Sequence, residues 1–170
     1  MYKSQGRRKS KKEVIVTEEW VYGRATFLLE QRDYTEKKLA EKLRQAFPEH
    51  PQFCKSAIDK CRESGAVNDE RFAESFIAGR LGRKEGIGKI KQAMYTKGFP
   101  KHLIDSVSDN PDVQDKPFFD DALALKQSWA GEAPVSQRDD PKLYNRIVGR
   151  LARRGFDFGI IKDVMAHTGH

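Results

Sequence analysis

The chain has 170 residues, 38% hydrophobic and 34% charged, with a formal net charge of +7. That is too little apolar matter for one thick core and fits thin helical bundles with a high surface fraction. No apolar run approaches the roughly 20 residues of a membrane span. Val14-Ile15-Val16 followed by Glu18-Glu19 is also too short for a signal-peptide core, so a soluble, unprocessed, cytoplasmic protein is expected.

The charge is unevenly spread. Residues 1–12 hold Lys3, Arg7, Arg8, Lys9, Lys11 and Lys12 and no acid, leaving a net charge of only +1 for the remainder. Residues 1–17 read as a disordered basic tail. Such a tail serves either as a sequence-blind, salt-sensitive arm for DNA or an acidic partner, or as a solubilising extension.

Residues 18–67 form the first of three similar segments. Phe27, Leu28 and Leu29 supply its first helix, and Asp33-Tyr34-Thr35 precedes a second carrying Leu39 and Leu43. A proline-bounded loop, Phe47-Pro48-Glu49-His50-Pro51, leads to a third with Phe53, Ala57, Ile58 and Cys61. Cys54 and Cys61 on one helix would lie about 10.5 Å apart, beyond disulfide reach. They read as small core residues in a reducing setting.

Residues 68–108 form the clearest segment. A helix from Asp69 to about Arg83 carries Phe72, Phe76 and Ile77, and a glycine break at Gly86–Gly88 follows. The next helix has Ile90 and Met94 on one face and ends at Gly98, a left-handed position. Pro100 suits the first position of a third helix that buries Leu103, Ile104 and Val107. Asp69 and Asp140 each precede a helical pattern and read as N-caps.

Residues 109–117 read as an acidic linker, and residues 118–170 as the last segment. Phe118, Phe119, Ala122 and Leu123 supply its first helix. Six positions then repeat at an offset of 57: Ile147, Leu151, Gly155, Phe156, Ile161 and Val164 match Ile90, Met94, Gly98, Phe99, Ile104 and Val107. Leu39 and Leu43 match at an offset of 51. Self-similarity of this kind indicates tandem modules that need one another for stability, and an all-α fold of three three-helix units.

Gly82 to Lys89 fails the phosphate-loop spacing, and Ile90 stands where Ser or Thr would hold magnesium. Gly86-x-Gly88 lacks the third glycine of a dinucleotide fingerprint. His50, His102, His167 and His170 have no partners at metal spacing, and the last two fall in a fraying end. The reading is of a non-enzyme without metal or cofactor.

Asn68-Asp69-Glu70-Arg71-Phe72-Ala73, with Arg80, Gly86, Ile90 and Lys97-Gly98, resembles the RecX family of bacterial recombinase regulators. Gln31-Arg32-Asp33-Tyr34-Thr35 with Leu39 and Leu43 resembles that family's first repeat, and Arg150-Leu151-Ala152-Arg153-Arg154-Gly155-Phe156 its third. Ser64-Gly65-Ala66-Val67 and Met94-Tyr95 depart from the usual pattern. The resemblance spans residues 20–166. It implies an elongated, curved array of helix-turn-helix-like modules that binds the RecA filament along its groove. It implies inhibition of RecA recombinase, ATPase and coprotease activities, with effects on DNA repair and the SOS response. A monomer with weaker, salt-sensitive affinity for single- and double-stranded DNA and no membrane partner is expected.

Charge alone selects the contact candidates. Arg146, Arg150 and Arg153 fall at i, i+4, i+7 on one stripe beside Arg154, and Arg80, Arg83, Lys89 and Lys91 cluster around the middle glycines. Guanidinium groups suit phosphate and carboxylate recognition. The alternative is an autonomous helix-turn-helix DNA-binding protein, against which the near-neutral body counts.

Overall fold

In the computed structural model of the chain, residues 15–132 and 134–167 are described. These residues form helices and turns, with no strand among them. Three helical triplets follow one another, as the repeat predicts.

The first triplet is α1 (Glu18–Gln31), α2 (Glu36–Ala46) and α3 (Pro51–Glu63). The Thr17 and Thr35 side chains cap α1 and α2 by accepting from the Trp20 and Lys38 amides. Pro51 opens α3, where its missing donor costs nothing. Val21 and Ala25 of α1, Leu39 and Leu43 of α2, and Cys54, Ala57, Ile58 and Cys61 of α3 fill the interior. Phe27 lies in α1 as expected but is 48% exposed, with the Arg24 guanidinium 5.4 Å above its ring. The helical period explains this, because the stripe through Val21, Ala25 and Leu28 leaves position 27 on the far side. The departing Ser64–Val67 segment still turns through a left-handed Gly65 and buries Val67.

The second triplet is α4 (Asp69–Leu81), α5 (Ile87–Lys97) and α6 (Lys101–Asp105), which tightens into a 3-10 turn at Ser106–Asp109. On α4, Ala73, Ile77 and Leu81 are buried, while Phe72 and Phe76 are half-buried and pack on Phe99 at 4.9 and 5.4 Å. Pro100 lies one place earlier than expected, at the N-cap. No residue of α6 itself is fully buried: Leu103 and Ile104 are half-buried, and Val107 in the 3-10 turn reaches the core. The helix winds tighter as it nears Asn110-Pro111, where the residue before proline is extended.

A one-turn helix, α7 (Pro111–Gln114), leads to the third triplet: α8 (Phe118–Ala130), α9 (Pro141–Arg153) and α10 (Phe158–Ala166). Val113 of α7 is buried, so the acidic segment is pinned to the core at that point. Asp140 caps α9 ahead of Pro141, as expected, and Asp157 caps α10. Helix α8 buries Phe118, Ala122 and Lys126 at four-residue spacing.

Burial follows the 57-residue offset. Ile90 and Ile147, Met94 and Leu151, Phe99 and Phe156, and Val107 and Val164 are all within 5% exposure. Gly98 and Gly155 both adopt left-handed backbone, at φ 82° and 87°. The buried apolar residues fall into two clusters. The first triplet has its own, whereas the second and third share one.

Successive triplets meet by one device. The N-cap residue of a second helix donates to the carbonyl just before the left-handed glycine of the next triplet. Thr35 Oγ1 donates to Lys97 O at 2.9 Å, and Gly86 N donates to Arg154 O at 2.9 Å. At the latter junction Gly88 N also donates to Gly155 O at 3.0 Å. The backbones are so close that a Cβ on Gly86 would sit 2.3 Å from Gly155 O, and one on Gly155 2.1 Å from Lys89 N. The expected glycine break at Gly86–Gly88 is therefore a contact surface.

Gly65 is equally left-handed, at φ 69°, but has open space around it. Gly65→Ala is thus expected to cost only the backbone penalty, about 1–2 kcal/mol. Gly155→Ala adds a clash with fixed backbone and is expected to cost about 3 kcal/mol or more. Urea unfolding of both variants measures the difference.

Candidate partner-binding surface

The second helices α2, α5 and α9 carry most of the basic residues of interest. Arg146, Arg150 and Arg153 lie exposed along α9, as their spacing predicts. Arg150 holds its guanidinium 5.4 Å above the Trp129 ring of α8. Lys89, Arg150, Arg153 and Arg154 converge with Trp129 and Glu85 around a cleft of about 370 Å³. Arg154 also donates from Nη1 to Arg83 O at 3.1 Å, bridging the second junction. Arg83 itself is exposed.

Two further candidates are also engaged within the molecule. Arg80 forms a fork to Glu85, at 2.9 and 3.2 Å, and lies over the Phe76 ring at 5.1 Å. Its side chain is only 22% exposed. Lys91 Nζ reaches Asp105 O at 3.4 Å and shares a cleft of about 720 Å³ with Arg153, Phe118 and Phe156. The structure therefore gathers Lys89, Arg150, Arg153 and Arg154, turns Arg80 toward Glu85, and leaves Arg83 and Arg146 at the margin.

Sequence reasoning missed a third basic feature. A groove of about 700 Å³ between α2 and α5 is lined by Arg32, Lys38, Lys42 and Lys97 together with Arg80 and Lys89. Lys89 lines this groove and both clefts, so the basic surface passes from α2 across α5 to α9. The available signal was the i, i+4 pair Lys38 and Lys42 on α2. Trp129 and Glu85 carried no signal, since only the tertiary fold brings them to the cleft.

The reading of Asp69 as the cap of its own helix is corrected. Asn68 caps α4, accepting from Arg71 N at 2.8 Å. Asp69 instead accepts from the Glu36 amide at 2.8 Å, capping α2 across the first junction. Removal from water raises its carboxyl above the ordinary aspartate range, against the opposing pull of that hydrogen bond. Arg62 braces the same helix end through a two-pronged bond to Glu36, at 2.7 and 2.9 Å. That bond holds the Glu36 carboxyl below its usual range.

Cys54 and Cys61 are both buried free thiols, and burial pushes both upward in pKa. Among the described residues, no three His, Cys, Asp or Glu side chains come together as a metal site. His167 lies edge-on to Phe119 at 5.6 Å rather than fraying away. No described helix is long and apolar enough to cross a membrane. The basic cluster of residues 1–12 and His170 lie outside the described residues.

Fold and surface together define a tandem three-helix-module protein whose second helices line one basic face. Residues 68–107 match the family model "RecX, second three-helix domain". The chain is 31% identical over 143 residues to the regulatory protein RecX of Clostridioides difficile, covering 84% of this chain and 65% of that protein. To the RecX of Chromohalobacter salexigens it is 29% identical over 141 residues, covering 83% of this chain and 88% of the relative. The crystal structure of RecX from Lactobacillus salivarius superposes with a TM-score of 0.72 at 21% identity, over 89% of this chain and 96% of that one. The chain is thus similar to RecX regulatory proteins over most of its length.

Asp69→Ala removes the acceptor and is expected to cost about 1 kcal/mol. Asp69→Asn keeps an acceptor and removes the buried charge. With the folded carboxyl raised, wild-type stability falls as pH climbs through the window above the ordinary aspartate value. Asp69→Asn is therefore expected to be at least as stable as wild type at pH 7, with its margin closing below that window. Urea titrations at several pH values measure this.

Proposed function

We propose that this protein binds the RecA–DNA filament and inhibits RecA's recombinase, ATPase and coprotease activities, thereby moderating DNA repair and the SOS response. The observation that carries this reading is the continuous basic surface along α2, α5 and α9, joined at Lys89. It has the form needed to follow a repetitive partner: several modules fixed in file, each presenting an equivalent helix. Similarity to RecX regulatory proteins over most of the chain supports it.

In this reading the modules occupy the filament groove. Arg150, Arg153, Arg154 and Lys89 meet acidic side chains or phosphates, where fork-shaped donors give strong directional bonds. Occupation of the groove excludes a second DNA or a coprotease substrate. The protein performs no bond-making chemistry and acts by steric and electrostatic competition.

Titration of the protein into RecA hydrolysing ATP on single-stranded DNA tests the reading. Loss of hydrolysis at substoichiometric ratios is expected. No loss, combined with tight sequence-specific duplex binding, would establish an autonomous helix-turn-helix protein instead. Replacing Arg146, Arg150 and Arg153 together with Ala is expected to weaken inhibition roughly tenfold or more while circular dichroism stays unchanged. Unchanged inhibition removes the α9 stripe from the contact surface.

A further inference from the structure

We propose that the groove between α2 and α5, at one end of that basic surface, takes an extended acidic segment of a polypeptide. This does not depend on the filament reading. The groove begins where Thr35 Oγ1 bonds Lys97 O at 2.9 Å, so the start of α2 and the end of α5 share a vertex. Lys38, Lys42 and Gln45 of α2 line one side, and Lys97, Ala93 and Lys89 of α5 line the other. The stretch from Lys89 to Lys97 is about 12 Å long at the helical rise. That accommodates about four residues of extended chain.

Charge favours an anionic occupant. Six cations line the groove against two carboxylates, Asp33 and Glu41. Two of the cations are already paired, Lys38 with Glu41 at 2.8 Å and Arg80 with Glu85 at 2.9 Å. These pairs fix the geometry of the walls without removing the positive excess.

The lining favours polypeptide over nucleic acid. A single strand is held largely by bases stacking on open aromatic faces. Here the Tyr34 ring is covered by the Arg32 guanidinium at 4.7 Å, and Arg32 Nε donates to its hydroxyl at 2.8 Å. Phe72 is packed against Phe76 and Phe99. Both rings are already engaged within the molecule. Gln45 and Gln92 supply amides on opposite walls, and Asp33 and Glu41 supply acceptors. Those groups match the N–H and C=O of a peptide backbone. An occupant seated on both walls would bridge the separately cored first triplet to the rest of the molecule.

Fluorescence anisotropy with the full chain tests this, using a labelled Asp/Glu octapeptide and a labelled oligothymidylate of equal charge. Lys38→Gln with Lys42→Gln is the test pair, since glutamine keeps the aliphatic stem beside Gly98 and both positions are solvent-accessible. Arg146→Gln with Arg150→Gln is the comparison pair. Peptide binding is expected to weaken roughly tenfold in the lysine pair and by less than about twofold in the arginine pair. Three results would overturn the proposal: no peptide binding by the wild type, equal weakening in both pairs, or loss of oligothymidylate binding alone in the lysine pair. The RecA hydrolysis titration decides the filament reading independently.

Discussion

Each module is held to the next by the start of one helix seated on the end of another. The first amides of a helix have no partner within it, and neither do its last carbonyls. At both junctions an N-cap meets a last carbonyl: the Thr35 hydroxyl of α2 against Lys97 O, and the Gly86 amide of α5 against Arg154 O. The positive end of one helix dipole faces the negative end of the other, which adds electrostatic attraction at short range. The requirement is severe in sequence terms. The carbonyl lies just before a left-handed glycine, and at the second junction the opposing backbone leaves no room for a Cβ on either side.

The two junctions differ in firmness. The second is backbone to backbone and lies over a core shared by α4 through α10. The first uses side chains, Thr35 Oγ1 and the Asp69 carboxylate, between two separate cores. Asp69 carries a desolvation cost there, and the exposed pair of Arg62 with Glu36 returns only modest stability. The molecule thus has a smaller core beside a larger one, with the α2–α5 groove where they meet.

Much of the fold was legible because the repeat writes core positions and turn glycines at one offset. Ile90, Met94, Gly98 and Phe99 could be paired with Ile147, Leu151, Gly155 and Phe156 before any coordinates. The shared family pattern was legible for the same reason. What escaped was whatever depends on a neighbouring module. Gly86 and Gly88 looked like a chain break because their purpose is to admit Arg154 and Gly155. Asp69 looked like a local cap because its acceptor role lies 33 residues away on α2. Of the basic candidates, the α9 stripe followed from helical spacing alone. The engagement of Arg80 by Glu85, and the joining of Lys89 to Arg150 across the second junction, are tertiary facts that spacing cannot carry.

Amide hydrogen exchange at Gly86 and Gly88 tests this view of the molecule most directly. If their N–H groups hold Arg154 O and Gly155 O as the architecture requires, they are protected to the level of the buried α5 amides near Met94. Exchange at the rate of an open loop, with α5 and α9 still protected, would mean that the modules are merely tethered and that no fixed surface runs across them.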